Sequence, residues 1–337
     1  MNKIAFIYGE TLIYWSAVVV ALAVFTGIVF FWAAYLRKND HVTGAAMACP
    51  LAIVLSLVLG RLIHWYFRAD SYESLFAAMT DFSGTGFALT GAFAGCLLTA
   101  GILRLLQVVK DLPFLLDCMS IGGCAAIAIG RLGCFFTSED RGEILSGVTQ
   151  LPWVFPVVNA TSGLLEYRFA TFLFQAIAAG CIFVVLFVVF GVGIHQKKHR
   201  DGDIALLFLL FYCAAQVLLD STRYDSLRLR SNGFISIVQI LCALTLVLVI
   251  SIFSIRLQKR AGWKMGYLAI WLTLALGLGG AGYMEYYVQR HGNQARFAYL
   301  VMSGCLGLVV ALGVLLWRLT NTESSRHKAR KKLSAEA

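Results

Sequence analysis

The sequence predicts an all-α fold, a polytopic transmembrane bundle of about nine helices. Three observations predict it. Of 337 residues, 59% are hydrophobic and 14% charged, against about 25% charged in an ordinary soluble domain. A soluble globule of this size could not cover itself with so little polar surface. The apolar residues also gather in nearly charge-free runs, most of them near the roughly 20 residues a helix needs to cross about 30 Å of hydrocarbon. Barrel strands would instead alternate in runs of about ten residues, and no such alternation appears. Helices satisfy every backbone polar group internally, as hydrocarbon demands.

The runs cover residues 11–36, 42–60, 82–103, 112–129, 169–194, 204–219, 231–255, 265–284 and 297–317. The first is too long for a cleaved signal peptide and runs into Arg37 and Lys38, so it reads as a retained anchor. The second ends at Gly60-Arg61. Gly84, Gly86, Gly91 and Gly95 stud the third, and Gly122, Gly123, Gly130 and Gly133 the fourth, which Asp117 interrupts. Such spacing of small residues suits close helix packing. The sixth is short and stops before Asp220. The eighth and ninth carry almost no polar residue. Between the fourth and fifth lies the longest loop, 136–168, with Pro152 and Pro156, expected to cap an outward-facing cavity. The chain thus divides into a seven-helix body at 1–260 that includes this external segment, two additional helices at 261–318, and a basic tail at 319–337.

Lys and Arg concentrate in one alternating set of loops: Arg37, Lys38, Arg104, Lys110, Lys197, Lys198, Arg200, and the clusters at 256–264 and 318–332. That side is expected to be cytoplasmic, which puts the N-terminus outside and the C-terminus inside. Topology accounts for the net charge of +10, and no nucleic-acid partner is expected. Tryptophans such as Trp15, Trp65, Trp153 and Trp317 fall near span ends, as interfacial belts do. The nine cysteines and six histidines show no metal-ligand spacing. Neither a metal nor a cofactor is expected.

Charged groups in or beside spans are costly and are functional candidates by default. Arg61, Arg131, Glu139, Asp220 and Arg223 all fall toward the predicted outer side. Asp220 and Arg223, three apart, share a face if their helix continues. Arginines at headgroup depth suit an anionic lipid, because the guanidinium grips phosphate through a bidentate fork and stays charged. The bland alternative, equally open from the residues alone, is a set of structural ion pairs. Thr90, Gln216 and Gln239 are uncharged polar groups in or near spans, the usual makings of helix–helix hydrogen bonds.

At Gly130-Arg131-Leu132-Gly133-x-Phe135-x-x-x-Glu139 the sequence resembles the prolipoprotein diacylglyceryl transferase family, whose signature runs Gly-Arg-x-Gly-Asn-Phe-x-Asn-Gly-Glu. Gly60-Arg61-Leu62 looks like that family's Gly-Arg-[Ile/Leu], and Thr90-Gly91-Ala92-Phe93-Ala94-Gly95 like its His-Gly-Gly-x-x-Gly. Residues 212–223 are similar to its Tyr-Gly-x-x-Arg-x-x-x-Glu-x-x-Arg, and 235–239 to its Ile-Ser-Met-Gly-Gln. The resemblance covers roughly residues 11–256. Thr90 stands where the family has a His, Gln216 where it has an Arg, and Cys134 and Thr137 where it has two Asn; Phe169-Ala170 replaces its His-Pro.

The resemblance implies a bacterial plasma-membrane enzyme that moves a diacylglyceryl group from phosphatidylglycerol, or another anionic phospholipid, to the lipobox cysteine of a preprolipoprotein. It implies catalytic roles for Arg131, Glu139, Asp220 and Arg223. Substrate-binding roles fall to Arg61, Thr90, Gly91, Gly133, Gln216 and Gln239. Thr90 and Gln216 keep a second expectation open, a lipid-binding or accessory protein on the same scaffold. A related transferase with another donor or acceptor is a third.

Overall fold

A computed structural model describes residues 4–8, 11–38, 42–69, 72–80, 86–137, 139–144, 153–158, 163–196, 200–228, 234–261, 266–291 and 294–336. Gly84, Pro152, Lys197, Lys198 and the start of the predicted seventh span lie outside them. Eight helices among the described residues are long and apolar enough to cross a membrane, and a ninth, shorter apolar helix covers Leu89–Leu105. Large apolar side chains such as Phe25, Leu97, Leu244 and Leu276 face outward from them, as they do when the surroundings are lipid. The all-α polytopic bundle is the fold. By Cα proximity the chain forms two compact units, Met1–Glu139 and Asp140–Ala337.

In the first unit, strands β1 (Ile4–Tyr8) and β2 (Thr11–Tyr14) form an antiparallel hairpin that runs directly into helix α1 (Trp15–Tyr35). The predicted first span therefore begins as strand, since β-branched and aromatic residues there suit a hairpin. α2 (Val42–Phe67) is followed by the short α3 (Leu75–Thr80), α4 (Leu89–Leu105) and α5 (Leu112–Gly130), which a 3-10 turn at Arg131–Phe136 prolongs. α1 packs on α5 where Gly122 faces Phe31, and a Cβ on Gly122 would stand 2.9 Å from the Phe31 Cβ. α2 packs on α4 through Gly91 and Gly95. A Cβ at Gly91 would lie 2.5 Å from the Gly60 Cα, and one at Gly95 2.6 Å from the Ser56 Cα. Ser56 Oγ also donates to the Ala92 carbonyl at 3.0 Å. The glycine stripe is thus a backbone-to-backbone seam.

In the second unit, strands β3 (Val154–Val158) and β4 (Leu165–Phe169) form an antiparallel hairpin within the long predicted loop. Helices α6 (Thr171–Gln196), α7 (Asp203–Ser221), α8 (Ile237–Ala261), α9 (Gly266–His291) and α10 (Ala295–Glu336) follow. α10 runs antiparallel along α7. Tyr299 Oη donates to the Ser221 carbonyl at 3.5 Å at one end. At the other, Trp317 Nε1 and Asn321 Nδ2 donate to Asp203 Oδ2 at 3.1 and 3.3 Å. Arg256 of α8 completes that node with an ion pair to Asp203 at 2.8 Å. Between the two ends, Gly313 lets α10 sit on Leu210. The predicted second and eighth spans stop short of their helices, which continue to Phe67 and His291. Each predicted span ends at its first charge, Arg61 or Glu285, yet both side chains are buried by protein and their helices carry on.

Candidate functional site

Arg61 is 2% exposed. Its Nε donates to the Ala78 carbonyl at 2.7 Å and its Nη1 to the Gly86 carbonyl at 2.9 Å. The guanidinium also lies 4.9 Å from the Phe87 ring centroid, a favourable cation–π placement. Gly86 has φ +138, and a Cβ there would meet Arg61 and the Tyr72 hydroxyl. Only glycine fits both that backbone and that space. Arg61 thereby ties α3 and the approach to α4 onto α2.

Thr90 opens α4 half-buried, while Gly91 is buried against α2. Arg131 is the first residue of the 3-10 turn that leaves α5, half-buried, with Gly133 packed near Ser16 and Val19 of α1. Glu139, also half-buried, donates its backbone N–H to Thr137 Oγ1 at 3.4 Å. A partly accessible guanidinium and carboxylate thus flank one short turn in the first unit.

In the second unit Arg223 is surrounded by acid. It pairs with Asp140 Oδ1 at 2.8 Å, Asp225 Oδ1 at 3.0 Å and Asp220 Oδ1 at 3.2 Å. One guanidinium therefore faces three carboxylates, and the local charge is negative. Asp140 adopts φ +53, a left-handed conformation that Asp tolerates better than most residues. Gly142 is required nearby, since a Cβ would stand 2.9 Å from the Thr222 carbonyl oxygen. Arg168 adds a second anchor: it pairs with Glu166 at 2.6 Å and lies 4.1 Å from the Tyr224 ring centroid. Segment 140–144, β4 and the end of α7 are thereby stitched together.

Asp220 is buried, and Ser236 Oγ donates to its Oδ2. Ser236 and Gln239 form a reciprocal helix cap. The Gln239 N–H donates to Ser236 Oγ at 3.1 Å, and the Ser236 N–H donates to Gln239 Oε1 at 2.9 Å. Gln239 Nε2 then donates to the Val217 carbonyl at 3.1 Å, which binds the start of α8 to α7. Gln216 is buried on α7.

The structure brings Asp220, Arg223 and Gln239 into one polar cluster at the end of α7, and Arg131, Gly133 and Glu139 into one short turn. Thr90 and Gly91 sit together on α4, beside the segment that Arg61 holds. Sequence reasoning missed Asp140, Asp225, Ser236 and Glu285. The Ser-x-x-Gln spacing was a readable signal for Ser236. Asp140 and Asp225 sat in loops with no pattern to mark them, and Glu285 stood one residue past a predicted span.

A sequence model of the family described as prolipoprotein diacylglyceryl transferase matches residues 3–255. The phosphatidylglycerol–prolipoprotein diacylglyceryl transferase of Bacillus licheniformis is 26% identical over 262 residues, covering 73% of this chain and 92% of that protein. The enzyme of the same name from Lactococcus lactis subsp. lactis is 28% identical over 256 residues, with 73% and 93% covered. That from Streptococcus equi subsp. zooepidemicus is 25% identical over 257 residues, with 73% and 94% covered. The matched region holds every candidate residue named above except Glu285, and it makes up most of the sequence. The chain belongs to the prolipoprotein diacylglyceryl transferase family.

Proposed function

We propose that this chain is a diacylglyceryl transferase of the bacterial plasma membrane, with phosphatidylglycerol as donor and the lipobox cysteine of a preprolipoprotein as acceptor. One observation carries the reading: the family match, over residues 3–255, takes in Arg131, Glu139, Asp220 and Arg223. The expected topology, with the N-terminus outside, puts these residues toward the outer leaflet.

The cysteine thiol gives up its proton, and the thiolate attacks the terminal glyceryl carbon of the donor. A carbon–sulfur bond forms as the carbon–oxygen bond breaks. The electron pair leaves on the phosphate oxygen, and glycerol phosphate departs with the proton that balances the reaction. Arg131 holds the phosphate as its negative charge grows; preorganised positive charge at such a place contributes about 3 kcal/mol. Glu139, half-buried one short turn away, receives the thiol proton. Asp220 has both oxygens engaged, by Arg223 and Ser236, and together with Arg223 it acts as a positioning pair in this reading. Arg61, Thr90, Gly91, Gly133, Gln216 and Gln239 act as substrate-binding or positioning groups in this reading.

The test is incorporation of labelled diacylglycerol from phosphatidylglycerol liposomes into a lipobox peptide by the purified protein. Thioether-linked label on the peptide cysteine is the expected result. Absence of transfer, under conditions where the Bacillus licheniformis enzyme is active, overturns the reading.

A further inference from the structure

The apolar spans of α7, α8 and α10 end side by side at Asp203, Lys259 and Asn321. Asp203 draws them together. It is only 2% exposed. Its Oδ2 accepts from Trp317 Nε1 at 3.1 Å, from Asn321 Nδ2 at 3.3 Å and from the Arg200 backbone N–H at 3.3 Å. Its Oδ1 accepts from Arg256 Nη1 at 2.8 Å. One buried carboxylate thus gathers the ends of three helices.

The node itself is neutral, because the Arg256 cation cancels the Asp203 charge. Its surroundings are basic. Arg200, Lys259 and Arg318 are exposed. Each stands within one helical turn of the node: Arg200 offers its own backbone N–H, Lys259 is three residues beyond Arg256, and Arg318 follows Trp317. Against them, residues 200–203, 256–261 and 317–321 offer one exposed acid, Asp201. α10 then continues as helix to Glu336, and its residues 322–336 add five Lys or Arg against two Glu.

Phospholipid phosphates lie just beyond the hydrocarbon, at the depth where these three spans end. A guanidinium grips such a phosphate through a bidentate fork, and an ammonium attracts it as a point charge. Basic clusters between helices hold anionic head groups in this way. Topology alone asks for Lys and Arg near span ends. It does not ask for a buried acid that collects three of those ends.

We propose that this end of α7, α8 and α10 is a docking surface for the head group of an anionic phospholipid, contacted by Arg200, Lys259 and Arg318 and assembled by Asp203. Arg318 lies beyond the region that the family match covers, so the added helices build part of the surface. The surface lies wholly within the second unit and does not depend on the transferase reading. Its occupant is a lipid and not free phosphate, because the cations stand where spans meet head groups.

The experiment titrates the full chain, delipidated in a neutral detergent, with phosphatidylglycerol and with phosphatidylcholine, and reads binding by native mass spectrometry beside a melting curve. The wild type should bind phosphatidylglycerol more tightly, and added salt should weaken that preference. Arg200→Gln, Lys259→Gln and Arg318→Gln should each raise the apparent Kd for phosphatidylglycerol by up to about fivefold, and the triple variant by at least about tenfold. All replace exposed side chains and should fold; if the triple variant does not, the three single variants decide. A control triple, Arg37→Gln with Lys38→Gln and Arg104→Gln, removes equal charge from exposed residues on the same predicted side and should leave Kd unchanged. Unchanged Kd in the folded test variants, or equal loss in the control, overturns the proposal. So does a preference abolished by Arg131→Ala and untouched by the test triple, which would belong to the proposed donor site. Inorganic phosphate at equal ionic strength should not displace the lipid; displacement would make this a site for free phosphate and overturn the lipid assignment.

Discussion

Arg223 and Asp140 pair at 2.8 Å across the join between α7 and the segment that precedes β3. The pair belongs to a cage in which Asp140, Asp220 and Asp225 close around one guanidinium. Removing that cation strands buried carboxylates. Arg223→Ala should cost about 3–5 kcal/mol, the usual penalty for uncompensated buried charge, and lower the melting temperature in detergent. The double variant Arg223→Ala with Asp140→Asn should recover part of the loss. A melting temperature unchanged by Arg223→Ala would show that the cage carries no stability.

The α2–α4 seam predicts a sharp contrast between glycines. Gly91→Leu pushes a side chain into the Gly60 backbone, which cannot yield as a flexible side chain would. It should destabilise the protein by at least about 1–3 kcal/mol, the cost of overpacking. Gly101→Ala on the same helix meets nothing within 4 Å and should leave stability unchanged or raise it slightly. Thermal melts of the two variants side by side check the claim.

The Ser236–Gln239 cap makes a third prediction. Ser236→Ala removes the acceptor for the Gln239 N–H and the donor to Asp220 together. It should cost about 1–2 kcal/mol, more than an ordinary cap loss of about 1 kcal/mol. Ser236→Thr keeps both roles and should stay near wild type. Urea unfolding in mixed micelles would measure both.

Arg131→Ala should insert and fold normally yet transfer no detectable diacylglycerol, because the phosphate loses its counter-charge. Arg131→Lys keeps a charge without the bidentate fork and should retain a small fraction of turnover. Both are read in the labelled-lipid assay beside a melting curve. Wild-type turnover by Arg131→Ala would remove Arg131 from the site.

The helices were legible because hydrocarbon imposes length and hydropathy on every span. What the sequence hid was partnership. Arg61 and Arg223 both read as candidates to hold a phosphate, the first for binding and the second for catalysis, yet the first is held by carbonyl oxygens of the chain that follows α2 and the second by three aspartates. Those partners lie in loops, where no periodicity marks them. Asp220 with Arg223 was readable from its three-residue spacing; Asp140 was not, being distant in sequence. Glu285 is not legible because a charge ends an apolar run, whereas burial by protein lets its helix continue.

Asp203 and Ser221, at opposite ends of α7, are each gripped from α10. A rod bolted to its neighbour at both tips has lost its freedom to slip lengthwise. A one-turn ratchet of about 5.4 Å would have to break both attachments at once. Any rearrangement that admits a lipid must therefore leave this pair of rods in register and draw its motion from other elements.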